Sequence, residues 1–184
     1  MIVRDATEAD LPAITAIYGR EVETGSGTFE YAAPPQAEMA ARMAAVRRLG
    51  LPWLVCEIDG KVAGYGLAGA FRPRTGYRFA VEDSVYVDAS ARGRGVGRAI
   101  LAQLISRCEA LGMRQMLAVI GDSGNAGSIA LHRAAGFREA GVFRSVGFKH
   151  GRWIDVVFMQ RALGSGDEAR PDADGLSIGE VWVR

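Results

Sequence analysis

The chain has 184 residues, 49% of them hydrophobic and 23% charged, and its 22 basic and 21 acidic side chains leave a formal net charge of +1. That length holds one domain with at most a short appendage and buries enough surface to stand without staples. The charge balance excludes the strong positive excess of a nucleic-acid binder, though not a local anion pocket.

Cys56 and Cys108 lie far apart and form no C-x-x-C pair. That excludes a disulfide scaffold, argues against zinc or any other metal site, and leaves both as small buried hydrophobes. The opening Met1–Asp5 lacks the apolar run of a signal peptide. No stretch reaches the roughly 18 uncharged apolar residues of a membrane helix, so the expectation is a soluble cytoplasmic protein.

Ile2-Val3-Arg4 is a short strand. Thr7 reads as a helix N-cap, with Glu8 and Asp10 in the first turn where the helix dipole favours negative charge. Leu11, Ile14, Ile17, Tyr18 and Val22 follow at helical spacing. Residues 24–35 break the pattern and leave Phe29 and Tyr31 isolated in a loop. A second helix runs from Pro35 to Leu49, with Met39, Met43 and Val46 on one face and Gly50 as its stop. Trp53–Ile58 and Val62–Phe71 flank the tight-turn pair Asp59-Gly60 as a hairpin. Arg72–Gly76 is a loop, and Phe79–Val87 the next strand.

Ile100, Leu101, Leu104, Ile105, Cys108 and Leu111 mark an amphipathic helix closed by Gly112. Met116–Ile120 is a buried strand and 122–127 a polar loop. Ser128 caps a short helix that carries Ile129, Leu131 and His132 and stops at Gly136. Phe137–Phe143 and Trp153–Met159 are the last strands. The order β-α-α-β-β-β-α-β-α-β-β predicts an α/β or α+β domain around one largely antiparallel sheet. Beyond Leu163 the composition turns polar and turn-rich, which predicts a domain over 1–163 and a mobile tail over 164–184. Within that tail Val181-Trp182-Val183 is able to pair with a sheet edge.

The stretch from Val85 to Arg98 carries the most chemistry. It passes from strand to loop to helix, with Gly93, Gly95 and Gly97 at alternate positions. Bare amides at a helix N-terminus suit phosphate oxygens. Arg92, Arg94 and Arg98 crowd positive charge at that end, which costs the helix roughly 0.3–1 kcal/mol per charge until an anion reverses the sign. The spacing fails the Rossmann fingerprint, and the P-loop lysine is missing. A solvated glycine-rich turn is the plain alternative.

Arg92-x-x-Gly95-x-Gly97 directly after a strand resembles the acetyl-CoA motif of the GNAT superfamily of N-acetyltransferases, and Asn125, Ser128, His132 and Gly136-Phe137 resemble its second motif. Glu82–Val87, Ala118–Ile120, His132 and Gly147–Trp153 are similar to the phosphinothricin and methionine sulfone/sulfoximine acetyltransferase branch. The resemblance covers about residues 1–163 and implies a mixed, largely antiparallel sheet of six or seven strands with four helices. It also implies a splayed strand pair that holds acetyl-CoA as co-substrate. The backbone of Val85, Tyr86 and Val87 would then pair with the pantetheine arm. The diphosphate would sit on Arg92, Gly93, Arg94, Gly95, Val96, Gly97 and Arg98, with Asn125 and Ser128 near the thiol end.

The same resemblance makes Glu82 the general base for the amine, with His132 or Tyr86 as proton donor. By strand parity Glu82, Ser84 and Tyr86 share one face and Asp83, Val85 and Val87 the other. Acceptor contacts fall on Arg72, Pro73 and Arg74, which aim guanidinium forks at a carboxylate or phosphinate, and on Glu82, Asp83 and Ser84. Phe29, Tyr31 and the Lys149-His150 loop would close the pocket, with a second subunit of a homodimer as one source. The leading reading is acetylation of the α-amine of a small amino acid analogue. Acetylation of another small amine or a protein N-terminus, or non-catalytic acyl-CoA binding, are the alternatives.

Overall fold

The computed structural model describes residues 1–178. Its elements are β1 (Ile2–Asp5), α1 (Leu11–Thr24), α2 (Gln36–Arg48), β2 (Trp53–Ile58), β3 (Lys61–Ala70), β4 (Ala80–Val87), α3 (Val96–Ala110), β5 (Gln115–Gly121), α4 (Ala126–Ala134), β6 (Arg138–Lys149) and β7 (Arg152–Ala162). The order of strands and helices is the expected one. The strands form one seven-stranded sheet in the order β1-β2-β3-β4-β5-β7-β6. Each neighbouring pair runs antiparallel except β4 with β5.

Period-two alternation divides the core into two layers. In β2, Leu54 and Cys56 join Ile100, Leu101, Leu104 and Cys108 of α3, whereas Trp53 and Val55 join Ile14, Ile17 and Val22 of α1 with Met39 and Met43 of α2. Both cysteines are buried and unpaired. Gly64 lets α3 lie close on β3, because a Cβ there would stand 2.8 Å from Val96 Cγ1. Thr7 and Asp10 form a capping box ahead of α1. Asp59 (φ 51°) and Gly60 (φ 75°) make the left-handed pair that a two-residue hairpin turn requires.

Three local expectations change. β6 runs well past Phe143, to Lys149, and β7 past Met159, to Ala162; a register shift between Phe143 and Gly147 with Ser145 at φ 53° carries the β6 ladder over a break in the apolar pattern. Leu111 lies just beyond α3 and is exposed rather than on its buried face. The segment after Leu163 is not loose over 164–178, because Leu176 is buried in the α3-side core and its N–H donates to Arg78 O at 2.8 Å. Val181-Trp182-Val183 falls outside the described residues. Among the described residues no helix is long and apolar enough to cross a membrane.

Candidate active site

The site begins where two parallel strands part. β4 and β5 are paired from Ala80↔Gln115 to Asp83↔Ala118, and the ladder then ends. Yet β4 continues to Val87 against β3, and β5 continues to Gly121 against β7. The backbone edges of Ser84–Val87 and Val119–Gly121 that face one another are therefore left without ladder partners. Between them opens a cleft of about 750 Å³.

One end of the cleft is the mouth of α3. Asp88 accepts from Ser90 N at 2.9 Å and so shapes the turn that leads to it. Gly95 is the N-cap at φ 83°, a left-handed conformation that costs an L-residue roughly 1–2 kcal/mol. The first helical bond runs from Ala99 N to Gly95 O at 3.0 Å. The amides of Val96, Gly97 and Arg98 have no carbonyl behind them in the helix. Val85, Tyr86, Val87, Arg92, Gly93, Gly95, Val96, Gly97 and Arg98 all line the cleft, and Arg94 does not. Gly93 and Gly127 also present bare backbone there, where a Cβ would meet nothing within 4 Å. Amide donors, guanidinium groups and an unfilled cradle make this end fit a diphosphate-bearing ligand.

The roof comes from the loop after α1. Arg20 pairs with Asp88 at 3.1 Å, and Glu21 lies 3.6 Å from Arg92, so α1 reaches over the mouth. Glu21 also accepts from Gly27 N at 2.9 Å. Lys149 is buried and donates to the carbonyls of Gly25 (3.1 Å) and Thr28 (2.9 Å), and burial lowers its pKa. It is a strut for the roof rather than an open acceptor contact. Phe29 lies against Gly147, Tyr31 bonds the Phe148 carbonyl, and neither Phe29 nor Lys149 lines the cleft. The roof is thus clamped to the β6–β7 hairpin within one chain.

On the α4 side the side chains exchange roles. Asn125, not Ser128, caps the helix, accepting from Ser128 N at 3.1 Å. The Ser128 hydroxyl instead stands 3.4 Å from His132 Nδ1. His132 is buried, with Nδ1 2.8 Å from the Ser128 carbonyl and Nε2 3.0 Å from Asp83 Oδ2. A carbonyl only accepts, so Nδ1 carries a proton, and Nε2 faces a carboxylate that also accepts. Burial opposes charge on the ring, but the hydrogen bond and charge of Asp83 overcome it and raise the pKa. Both nitrogens of the imidazolium are spent. Asp83 Oδ1 is buried with no partner. Asp83 therefore turns to the α4 face, where it and His132 line the cleft.

Glu82, one residue earlier, points to the opposite face. Burial raises its pKa and the charge of Asp83 adds to this, while Arg72 opposes both. Tyr86 shares that face, stacked on Tyr65 (5.0 Å) and edge-on to Tyr18 (5.1 Å), and burial raises its pKa too. Glu82 does not line the cleft, whereas Ser84 and Tyr86 do. Arg72, Pro73 and Arg74 stand on an exposed loop outside it, with the Arg72 guanidinium 4.9 Å over the Phe71 ring. Sequence reasoning missed Glu21 and the Asp83–His132 pair. Strand parity puts Asp83 on the face of Val85 and Val87, and only the packing of α4 against that face brings His132 to it. Among the described residues no group of three or more His, Cys, Asp or Glu is placed to hold a metal ion.

Residues 3–158 match the family described as "Acetyltransferase (GNAT) domain". The chain is 55% identical over 170 residues to a phosphinothricin N-acetyltransferase of Alcaligenes faecalis, which spans 92% of this chain and 86% of that protein. It is 43% identical over 162 residues to an L-methionine sulfoximine/L-methionine sulfone acetyltransferase of Pseudomonas aeruginosa, over 88% of this chain and 94% of that one. A crystal structure of a phosphinothricin acetyltransferase from Sinorhizobium meliloti in complex with AcCoA superposes with a TM-score of 0.92 at 49% identity, covering 96% of this chain and 95% of that chain.

Proposed function

The chain belongs to the GNAT acetyltransferase family, and from that membership we propose that it acetylates the α-amine of a small amino acid analogue of the phosphinothricin, methionine sulfone or methionine sulfoximine type. As an acetyl-CoA-dependent N-acetyltransferase it takes acetyl-CoA as co-substrate. That molecule supplies an acetyl group activated as a thioester. The observation that carries the reading is the ladder ending at Asp83↔Ala118 directly before the open mouth of α3.

In this proposal the backbone of Val85–Val87 hydrogen-bonds the pantetheine arm as a strand partner would. The amides of Gly93 and Gly95–Arg98 hold the diphosphate, and Arg92, Arg94 and Arg98 add charge. The Asn125 carboxamide keeps its N–H donors free for the same ligand, because its oxygen serves the cap. An amide of the 85–87 edge is the donor for negative charge that develops during acyl transfer. Glu82 takes a proton from the acceptor ammonium through ordered water, and its raised pKa makes it a stronger base. We assign His132 to positioning rather than acid catalysis because, although it lines the cleft, both of its ring nitrogens are held, by the Ser128 carbonyl and by Asp83. Tyr86 serves as a wall of the cleft. Arg72 and Arg74 receive the acceptor's acidic groups, with Pro73 between them. Phe29 acts indirectly by seating the roof.

A homodimer is part of this proposal. Edge strand β6 with β7 exposes Phe148 against Trp153 on one face, with Val146 nearby in sequence and Phe143 exposed on the other face, and exposed apolar groups of this kind mark protein interfaces. The test of the function is release of free thiol from acetyl-CoA with a panel of amino acid sulfones, sulfoximines, phosphinates and plain amines. Turnover is expected with the oxidised sulfur and phosphorus amino acids. Binding of acetyl-CoA without thiol release for any amine would make the chain an acyl-CoA-binding module instead.

A further inference from the structure

We infer that residues 164–178 form a strap that holds the Arg72–Arg74 loop in place and so sets selectivity for acidic acceptors. The inference rests on the acceptor reading of that loop given above. As the chain leaves β7, Leu163 N donates to Arg114 O at 2.9 Å. The Arg114 side chain, only 13% exposed, gathers the next turns by bonding the Ser165 hydroxyl and the carbonyls of Gly166 (3.5 Å) and Arg170 (3.1 Å). The strap then reaches Arg78, the exit of the loop. Asp174 O accepts from Arg78 Nε at 3.0 Å, and Leu176 N donates to Arg78 O at 2.8 Å.

Gly175 makes the crossing possible. Its φ is +74°, and a Cβ there would stand 2.8 Å from Arg78 Cγ, Arg78 O and a Phe79 ring carbon. Leu176 follows into the core beside α3 and anchors the end. From Arg78 the restraint passes into the loop itself. Arg78 N donates to Thr75 O at 3.1 Å, and Tyr77 N donates to Arg74 O at 2.9 Å. The Tyr77 ring meets Phe71 edge-on at 5.6 Å, and Arg72 lies over that same Phe71 ring. Strap, Arg78, the Thr75–Tyr77 turn and both arginines are one connected unit on an otherwise exposed loop. A guanidinium fork held in place loses less freedom when it takes a carboxylate.

The test compares Gly175→Ala and Arg78→Met with the Arg72→Ala/Arg74→Ala pair. For each, KM and kcat are measured for methionine sulfone, whose carboxyl is its one acidic group, and for its methyl ester, with acetyl-CoA affinity and melting temperature alongside. The strap variants are expected to raise KM for the acid about tenfold, at the low end of a charged hydrogen bond's worth. KM for the ester and affinity for acetyl-CoA stay within about twofold. A general loosening of the acceptor site would raise both KM values together, and that result overturns the strap. An unchanged acid-to-ester ratio in the strap variants, while the arginine variant shifts it, overturns the strap alone. An unchanged ratio in the arginine variant overturns the acceptor reading itself. Arg78→Met keeps the apolar stem and the core anchor, so the experiment stands even if Gly175→Ala folds poorly.

Discussion

Replacing Asp83 by asparagine probes the buried pair at the point where the strands part. The two side chains lie 3.0 Å apart at 5% and 1% exposure, so water screens them very little. A neutral amide in place of the carboxylate would leave an imidazolium unpaired in the core or make it give up its Nε2 proton, with Nδ1 still donating to the Ser128 carbonyl. Breaking a buried ion pair by removing one member costs about 3–5 kcal/mol. At roughly 2–4 °C per kcal/mol for a chain of this size, the melting temperature should fall by about 6–20 °C. The assay is thermal unfolding followed by circular dichroism between pH 5.5 and 9, for the parent, Asp83→Asn, His132→Leu and the double variant Asp83→Val/His132→Leu. The double variant should recover much of the loss, because a packed apolar pair replaces a charged one. The pH dependence has a definite sign. A His with a raised folded pKa contributes in full below its unfolded value near 6.5, and the contribution fades as pH climbs through the folded value. The parent should therefore lose stability on that rise, and His132→Leu should lack the slope. An Asp83→Asn protein that melts within about 1 °C of the parent, with the slope unchanged, would refute the pairing.

Glu82→Gln should lower kcat by about a hundred- to ten-thousandfold with acetyl-CoA affinity unchanged. In the parent, kcat should fall as pH drops through the raised Glu82 pKa, and that limb should vanish in the variant; steady-state kinetics across pH checks both. Gly95→Asp places a side chain at φ 83° and negative charge at the helix mouth, so acetyl-CoA affinity measured by calorimetry should fall at least tenfold. Trp153→Glu puts a charge into the exposed apolar patch on β7, and light scattering should show a dimeric parent become monomeric at micromolar concentration.

Local signals carry the frame well. The helical spacing from Leu11 to Val22, the Asp59-Gly60 turn and the alternate glycines of 93–97 each state their geometry within a few residues, and the structure follows them. The parted strands are a consequence of the family resemblance and not of any local pattern. What the sequence hides is made by distant partners. Lys149 reads as part of a loop that closes the pocket, and it is buried because carbonyls more than a hundred residues away face it. Leu176 sits in a polar, turn-rich stretch, yet its place in the core is prepared by α3 and Arg78. Asn125 and Ser128 are both good caps, and only the backbone turn at 122–125 decides between them. Asp83 is the instructive case, since the alternation that turned Glu82 one way turned its neighbour the other.

The most direct measurement follows the backbone amides by heteronuclear NMR while acetyl-CoA is titrated in. The largest shifts should fall on the amides of Val85–Val87 and of Gly93–Arg98, with Asn125 close behind. Shifts confined to other surfaces, with the opening of α3 undisturbed at saturation, would contradict the account at its base.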